Sequence, residues 1–187
     1  KLILPIIVFS QFCCTSLWFA GNAVMPDLVV HFSLDGSAVG HLTSAVQLGF
    51  IAGTLFFAIM SIADRFSPSK VFFVCAVLGN SLSTILIFRA GTGFFLAGIY
   101  PVGMKIASDY FEKGLGVSLG YLVGALVLGT AFPHLLKGQL NTLPWESVIF
   151  GTSFLALLGG FLMLVLVPDG PYRKMGANFD LMACFKV

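Results

Sequence analysis

The stretch that decides the fold reads Ser61-Ile62-Ala63-Asp64-Arg65-Phe66-Ser67-Pro68-Ser69-Lys70. It is a short charged segment between two apolar runs. Residues 37–62 contain one charged or histidine side chain, His41, and residues 71–88 contain none. Asp64, Arg65 and Lys70 are too costly to place in hydrocarbon, so this segment must lie at a water boundary. Pro68 suits the first position of a helix, where its missing N–H has no partner anyway. The pattern predicts a tight loop between two membrane-spanning helices.

The composition of the whole chain agrees with this reading. Of 187 residues, 58% are hydrophobic and 10% are charged, whereas soluble domains carry about 25% charged residues. The excess apolar surface is expected to face lipid, which predicts an integral membrane protein. The sequence has no phosphate-cradling loop, nucleophile elbow or HExxH motif. We therefore expect no enzymatic activity, cofactor, metal or nucleic-acid partner, and we expect the lipid bilayer and a small solute as partners.

Six apolar stretches approach the length of about 20 residues that a membrane-spanning helix needs. The predicted spans are residues 2–24, 37–62, 68–86, 88–108, 114–136 and 144–167. The fold class is therefore all-α integral membrane, with one six-helix domain over residues 1–170. Residues 171–187 alternate apolar and polar side chains after a run of Pro and Gly. They are expected to form a cytoplasmic linker or a short interfacial helix, truncated at Val187.

Lysine and arginine placement predicts the orientation, because cytoplasmic loops are enriched in these residues. With the N-terminus inside, eight basic residues fall on the inner side and two on the outer side. The inner residues are Lys1, Arg65, Lys70, Lys105, Lys113, Arg173, Lys174 and Lys186, and the outer residues are Arg89 and Lys137. Both termini are therefore predicted to be cytoplasmic, in a plasma membrane or a bacterial inner membrane.

The first span carries a polar stripe. Gln11, Thr15, Trp18 and Asn22 follow one another at steps of four, three and four residues, which places them on one helix face. Two amides and a tryptophan on one stripe indicate a wet cavity that holds a solute. The alternative is hydrogen bonding between helices, which is common for Asn and Gln in membranes.

The fourth span begins with a permanent charge. Arg89 shares a helix face with Gly93, Leu96 and Tyr100, and Pro101 can kink the helix. An ionisable residue in or near the membrane is a candidate for function, and a guanidinium forms a fork that suits a carboxylate or phosphate. The alternative is that Arg89 extends to the outer interface from a position near the helix end. The predicted solute site comprises Gln11, Trp18, Asn22, Arg89 and Tyr100.

These features together resemble the N-terminal six-helix half of a Major Facilitator Superfamily transporter. The resemblance covers nearly the whole chain. It is carried by Ala63-Asp64-Arg65-Phe66-Ser67, Arg89-x-x-x-Gly93, Tyr100-Pro101, the glycine-rich fifth span and Val167-Pro168-Asp169.

The resemblance implies a 3+3 inverted repeat and a second six-helix half, with solute held between the halves near the midplane. It also implies that Asp64 and Arg65 gate the inner side. Two features depart from the family. In its loop motif, G-x-x-x-D-R-x-G-R-R, Met60 and Ser67 stand where the family has glycine. The interval from Asp64 to Arg89 is also short, so residues could be missing between Phe88 and Arg89.

We therefore predict a secondary active transporter, a symporter or uniporter, that moves a small polar or anionic solute by alternating access. The missing half, or a second copy of this chain, would supply the other wall of the site. Two alternatives stay open at this point: a six-helix module that self-associates without transport, and half of a multidrug exporter with an aromatic cavity.

Overall fold

The computed structural model describes residues 2–33, 35–60, 66, 70, 85–139 and 143–173. Every regular element in these ranges is helical. The helices are α1 (Ile3–Thr15), α2 (Ala20–Ala23), α3 (Met25–His31), α4 (Ala38–Met60), α5 (Ile85–Leu96), α6 (Tyr100–Tyr110), α7 (Leu115–Gln139) and α8 (Trp145–Leu166). The all-α prediction is confirmed for this part of the chain. Most of the predicted third span lies outside the described residues.

Three of the described helices are long and apolar enough to cross a membrane. These are Val39–Met60 within α4, Leu115–Gln139 and Trp145–Leu166. They overlap the second, fifth and sixth predicted spans. Many of their large apolar side chains are exposed, as lipid-facing residues must be. Within the described residues the structure thus supports part of the predicted six-span arrangement.

The predicted first span is not one continuous helix. It divides into α1 and α2, and α3 begins after its predicted end. Between α1 and α2, in the turn at residues 16–19, Leu17 and Trp18 bond three residues back, at 3.4 and 3.0 Å. Side-chain hydroxyls compete for backbone carbonyls before this turn: Thr15 donates to Gln11, and Ser16 donates to Cys13. Such back-bonding bends helices and weakens the regular pattern.

The predicted fourth span is also divided, into α5 and α6. At the junction, Gly98 and Ile99 bond to the carbonyls of Phe95 and Leu96, three residues back, each at 3.0 Å. Pro101 explains the interruption, because it has no N–H to donate to Ala97 and its ring clashes with a carbonyl four residues earlier. Proline then occupies the first turn of α6, where it fits.

Helices α4 and α5 approach each other closely along a glycine seam formed by Gly49, Gly53 and Gly93. A Cβ built on Gly49 would lie 1.9 Å from the Ala90 carbonyl oxygen, and one on Gly93 would lie 1.9 Å from that of Val46. Only a residue without a side chain permits such backbone contact between membrane helices. The seam therefore fixes the second and fourth predicted spans as a tight pair.

The glycines of the fifth predicted span do not all lie at a contact between helices. Gly116, Gly120 and Gly124 form a stripe with the four-residue spacing that suits tight helix packing, yet a Cβ on any of them would meet nothing within 4 Å among the described residues. The close contact on this helix is at Gly129, against Thr15 and Phe12 of α1. The stripe itself is exposed in the described part of the chain.

The remaining helices pack around α1. Helices α7 and α8 flank it, and Gly159 of α8 lies against Ser10 and Cys13. One buried apolar cluster joins α1, α5, α6, α7 and α8. A second cluster joins α2 and α3 to α8. Helix α1 is thus the central element of a body that includes the fifth and sixth predicted spans.

Charged groups collect at both ends of the bundle. At one end, Lys105 pairs with Asp109 at 2.6 Å and Arg173 pairs with Asp169 at 2.5 Å. The Tyr110 hydroxyl donates to the Pro168 carbonyl. Burial, and secondarily the Asp169 carboxylate, raise the pKa of the Tyr110 hydroxyl. The Tyr110 hydroxyl bond, together with the bond from the Tyr172 N–H to the Asp109 carbonyl at 3.0 Å, holds the end of α6 against the segment that follows α8.

At the opposite end, Lys137 of α7 pairs with Asp27 of α3 at 2.5 Å and donates to the Leu143 carbonyl at 3.1 Å. The ring of Trp145 lies beside those of His31 and Phe32, at centroid distances of 5.8 and 6.2 Å. The short helix α3 is therefore anchored to the ends of α7 and α8.

Candidate functional site

Arg89 is the charged centre of the candidate site. Its guanidinium reaches from α5 to the first predicted span, where Nη2 donates to Asn22 Oδ1 at 2.6 Å and Nη1 donates to the Trp18 carbonyl at 3.3 Å. Gly21 lies directly beneath it, because a Cβ there would be 3.0 Å from Nη1. The structure thus brings together three of the five predicted solute-site residues: Trp18, Asn22 and Arg89.

Both oxygens that bind Arg89 belong to neutral groups. Among the described residues, no carboxylate lies within ion-pair distance of the guanidinium, and its buried Nε has no hydrogen-bond partner. Partial burial removes water from the guanidinium at a cost in free energy, and no anion among the described residues offsets that cost. The guanidinium therefore retains the capacity to bind an anionic group.

An aromatic pair includes Trp18, the residue whose backbone carbonyl binds Arg89. The indole of Trp18 packs on the ring of Phe50 from α4, with a centroid distance of 4.6 Å and an interplanar angle of 41°. The indole Nε1 is buried and lacks a partner among the described residues. Trp18 can therefore contribute both an apolar face and a hydrogen-bond donor.

Gln11 and Tyr100 lie away from the other three predicted site residues along their spans. Gln11 lies 11 residues before Asn22, and Tyr100 lies 11 residues after Arg89, so each is about three helical turns of chain away from the Asn22–Arg89 bond. Each interval crosses an interruption of the helix, at residues 16–19 and 97–99. The structure places Tyr100 at the start of α6, so the five residues do not form one compact cluster.

Gln11 is fully buried, and both its amide oxygen and its amide nitrogen lack partners among the described residues. A buried unpaired polar group costs about 1–3 kcal/mol. Such groups are rare enough in native structures to need an explanation, and a bound water or a solute can supply the missing partners. Gln11 is thus a buried amide whose hydrogen-bond partners are absent from the described residues.

The predicted gating pair, Asp64 and Arg65, lies outside the described residues. Two residues near Arg89 were not predicted from the sequence. Thr43 of α4 accepts a hydrogen bond from Asn22 Nδ2 at 2.9 Å, and Gly21 provides the space in which the guanidinium rests. Thr43 gives no sequence signal because the rotation of α4 relative to α2 cannot be inferred from spacing.

The described structure is thus a set of apolar helices around a partly buried arginine. The family model for the Major Facilitator Superfamily matches residues 7–179. The chain therefore belongs to this transporter family, and it is a membrane protein.

The chain is also similar to individual transporters. It is 26% identical over 172 residues to "Uncharacterized transporter YgaY" of Escherichia coli, a match covering 82% of this chain and 42% of that protein. It is 27% identical over 154 residues to "4-hydroxybenzoate transporter PcaK" of Acinetobacter baylyi, covering 77% of this chain and 32% of that protein. The chain spans about two fifths or less of the length of these relatives. No solved structure shows significant similarity to it.

Proposed function

We propose that this chain is the N-terminal half of a secondary active transporter that moves a small organic anion by alternating access. The anion would bind between the first and fourth predicted spans. The observation that carries this proposal is the Arg89 guanidinium, which is held by two neutral oxygens and lacks a carboxylate partner among the described residues. A solute carboxylate would supply the missing negative charge.

The neighbouring groups favour an anion with an aromatic ring. The backbone carbonyl of Trp18 binds Arg89, and the indole of the same residue packs on Phe50, so these two rings offer an apolar surface on which a ring could pack. One relative is named as a 4-hydroxybenzoate transporter, and that molecule combines a carboxylate with a ring. The unpaired amide of Gln11, farther along the first span, could bind a hydroxyl or carbonyl group at the other end of a longer solute.

The proposal includes the topology inferred from charge. Lys105 and Arg173 lie at one end of the bundle and Lys137 lies at the other, which supports the predicted division of basic residues. We propose that the end with Lys105 and Arg173 faces the cytoplasm of a plasma or bacterial inner membrane, with both termini on that side. Asp64 and Arg65 would gate that side. Transport would then expose Arg89 to each side in turn.

A second six-helix half is the proposed partner. The exposed Gly116–Gly120–Gly124 stripe of α7 offers a surface for close approach of another helix, and the curated relatives are more than twice as long as their matched part. A second copy of this chain is the competing partner. Disulfide cross-linking from Gly120→Cys, followed by mass analysis of the linked segment, distinguishes the two.

Uptake of labelled 4-hydroxybenzoate into proteoliposomes containing the full natural protein tests the proposed substrate class. Benzoate should compete with the label, and benzamide, its neutral isostere, should not. Arg89→Met should abolish uptake, whereas Arg173→Met, which removes an arginine at the other end of the bundle, should retain it. Equal competition by benzamide, or normal uptake by Arg89→Met, would contradict the anion site and favour the multidrug exporter.

A further inference from the structure

The single proton of the Thr43 hydroxyl is already used in a hydrogen bond. The hydroxyl donates to the carbonyl of Val39, one turn earlier in α4, at 2.9 Å. A threonine hydroxyl has a single proton, so toward any other group Thr43 can act as an acceptor alone. The neighbouring group is the amide of Asn22, whose Nδ2 donates to Thr43 Oγ1 at 2.9 Å.

Because Thr43 can only accept a further hydrogen bond, the orientation of the Asn22 amide is fixed. With Nδ2 directed at Thr43, Oδ1 faces Arg89 Nη2 and accepts its hydrogen bond at 2.6 Å. The flipped amide would place N–H groups against the guanidinium, donor against donor. It would also place Oδ1 against a hydroxyl whose proton is already donated to Val39. The hydrogen bonds from Arg89 through Asn22 and Thr43 to Val39 therefore run in one direction.

We propose that Thr43 is a positioning residue for the solute site: through Asn22 it fixes the orientation of the Arg89 guanidinium, whose positive charge would bind the anion. This inference rests on the proposed function of Arg89. Thr43 touches neither Arg89 nor, in this arrangement, the solute. Through Thr43, helix α4 contributes to the site, although none of the predicted solute-site residues lies on that helix.

The first test uses three variants on one helix in the full natural protein. Thr43→Val keeps the shape and removes the hydroxyl, and Thr43→Ser keeps the hydroxyl. Thr54→Val is the matched control, because Thr54 donates to the carbonyl of Phe50 at 2.8 Å and is exposed. Thr43→Val should raise the KM for 4-hydroxybenzoate uptake about fivefold, with Vmax within about twofold of wild type. Thr43→Ser should restore the KM, and Thr54→Val should leave it unchanged.

The second test does not depend on transport. Melting temperatures of the purified full-length protein are measured for Thr43→Val, Arg89→Met and the double variant. Because Thr43 acts on Arg89 through Asn22, loss of its hydroxyl should lower the melting temperature less once Arg89 is gone. Additive effects would overturn the proposal, as would a KM for Thr43→Ser as high as that for Thr43→Val.

The two tests also separate this proposal from the proposed function. If the wild-type protein takes up none of the carboxylates, the anion-transport proposal fails, and with it the role of Thr43 toward a solute. The melting-temperature cycle then still decides whether Thr43 orients Arg89.

Discussion

Replacing Gly49 with alanine is the sharpest test of the pairing between α4 and α5. The new Cβ would lie 1.9 Å from the Ala90 carbonyl oxygen and 2.7 Å from its carbon. The atoms it meets are backbone, so no side-chain rotation can relieve the overlap. A carbon and a carbonyl oxygen in contact are separated by about 3.3 Å, so the two helices must move apart by about 1.4 Å.

This displacement has two consequences. Overpacking of this kind costs about 1–3 kcal/mol, and at about 2–4 °C per kcal/mol the melting temperature should fall by about 2–12 °C. Ala90 also adjoins Arg89 in the chain. Moving it away from α4 disturbs the 2.6 Å bond between Arg89 and Asn22, so uptake of the anion should decline together with stability.

The assay compares thermal melting and uptake of Gly49→Ala with those of Gly40→Ala. Gly40 lies in the same helix, and a Cβ there meets nothing within 4 Å. Alanine is favoured over glycine in helices by about 0.5–1 kcal/mol, so the control should be neutral or slightly stabilised. If both variants melt and transport alike, the close approach of α4 and α5 is refuted, and with it the support of Arg89 by the seam.

Two further predictions concern other close contacts. Gly21→Ala would place a Cβ 3.0 Å from Arg89 Nη1. Because a flexible guanidinium can move by a few tenths of an ångström, we expect the KM for uptake to rise about two- to fivefold and the melting temperature to stay unchanged. A wild-type KM would show that the guanidinium does not rest on Gly21. Gly170→Ala would place a Cβ 2.4 Å from the backbone oxygen of Asp109, so the melting temperature should fall by several degrees. Gly151→Ala in α8 is the control, because a Cβ there meets nothing within 4 Å.

The membrane character of the chain and part of the candidate site could be predicted from the sequence. Long apolar runs must be helical in lipid because every backbone group needs an internal partner. The helical period also placed Trp18 and Asn22 on one face, where Arg89 now contacts both. These conclusions depend on residue type and position along one helix.

Features that depend on pairs of helices could not be predicted. Glycines at four-residue spacing show that a helix can be approached closely, but not which helix approaches it. The seam accordingly lies at Gly49 and Gly53 rather than at Gly116 and Gly120. The hydrogen bond between Thr43 and Asn22 depends on the rotation of one helix about its axis, and the spacing of residues in the sequence does not indicate that rotation. The first predicted span is interrupted near Ser16, where side-chain hydroxyls bond to backbone carbonyls. The hydrophobicity of the sequence there does not indicate this interruption.

The divided first and fourth predicted spans have a mechanical consequence. Bending an intact helix requires the loss of i→i−4 hydrogen bonds, but at residues 16–19 and 97–99 several backbone groups already bond three residues back. Bending at these interruptions therefore breaks fewer hydrogen bonds than bending elsewhere in the two spans. Asn22 and Arg89 lie on one side of the interruptions, and Gln11 and Tyr100 lie on the other, so a bend there would change the spacing between the two pairs.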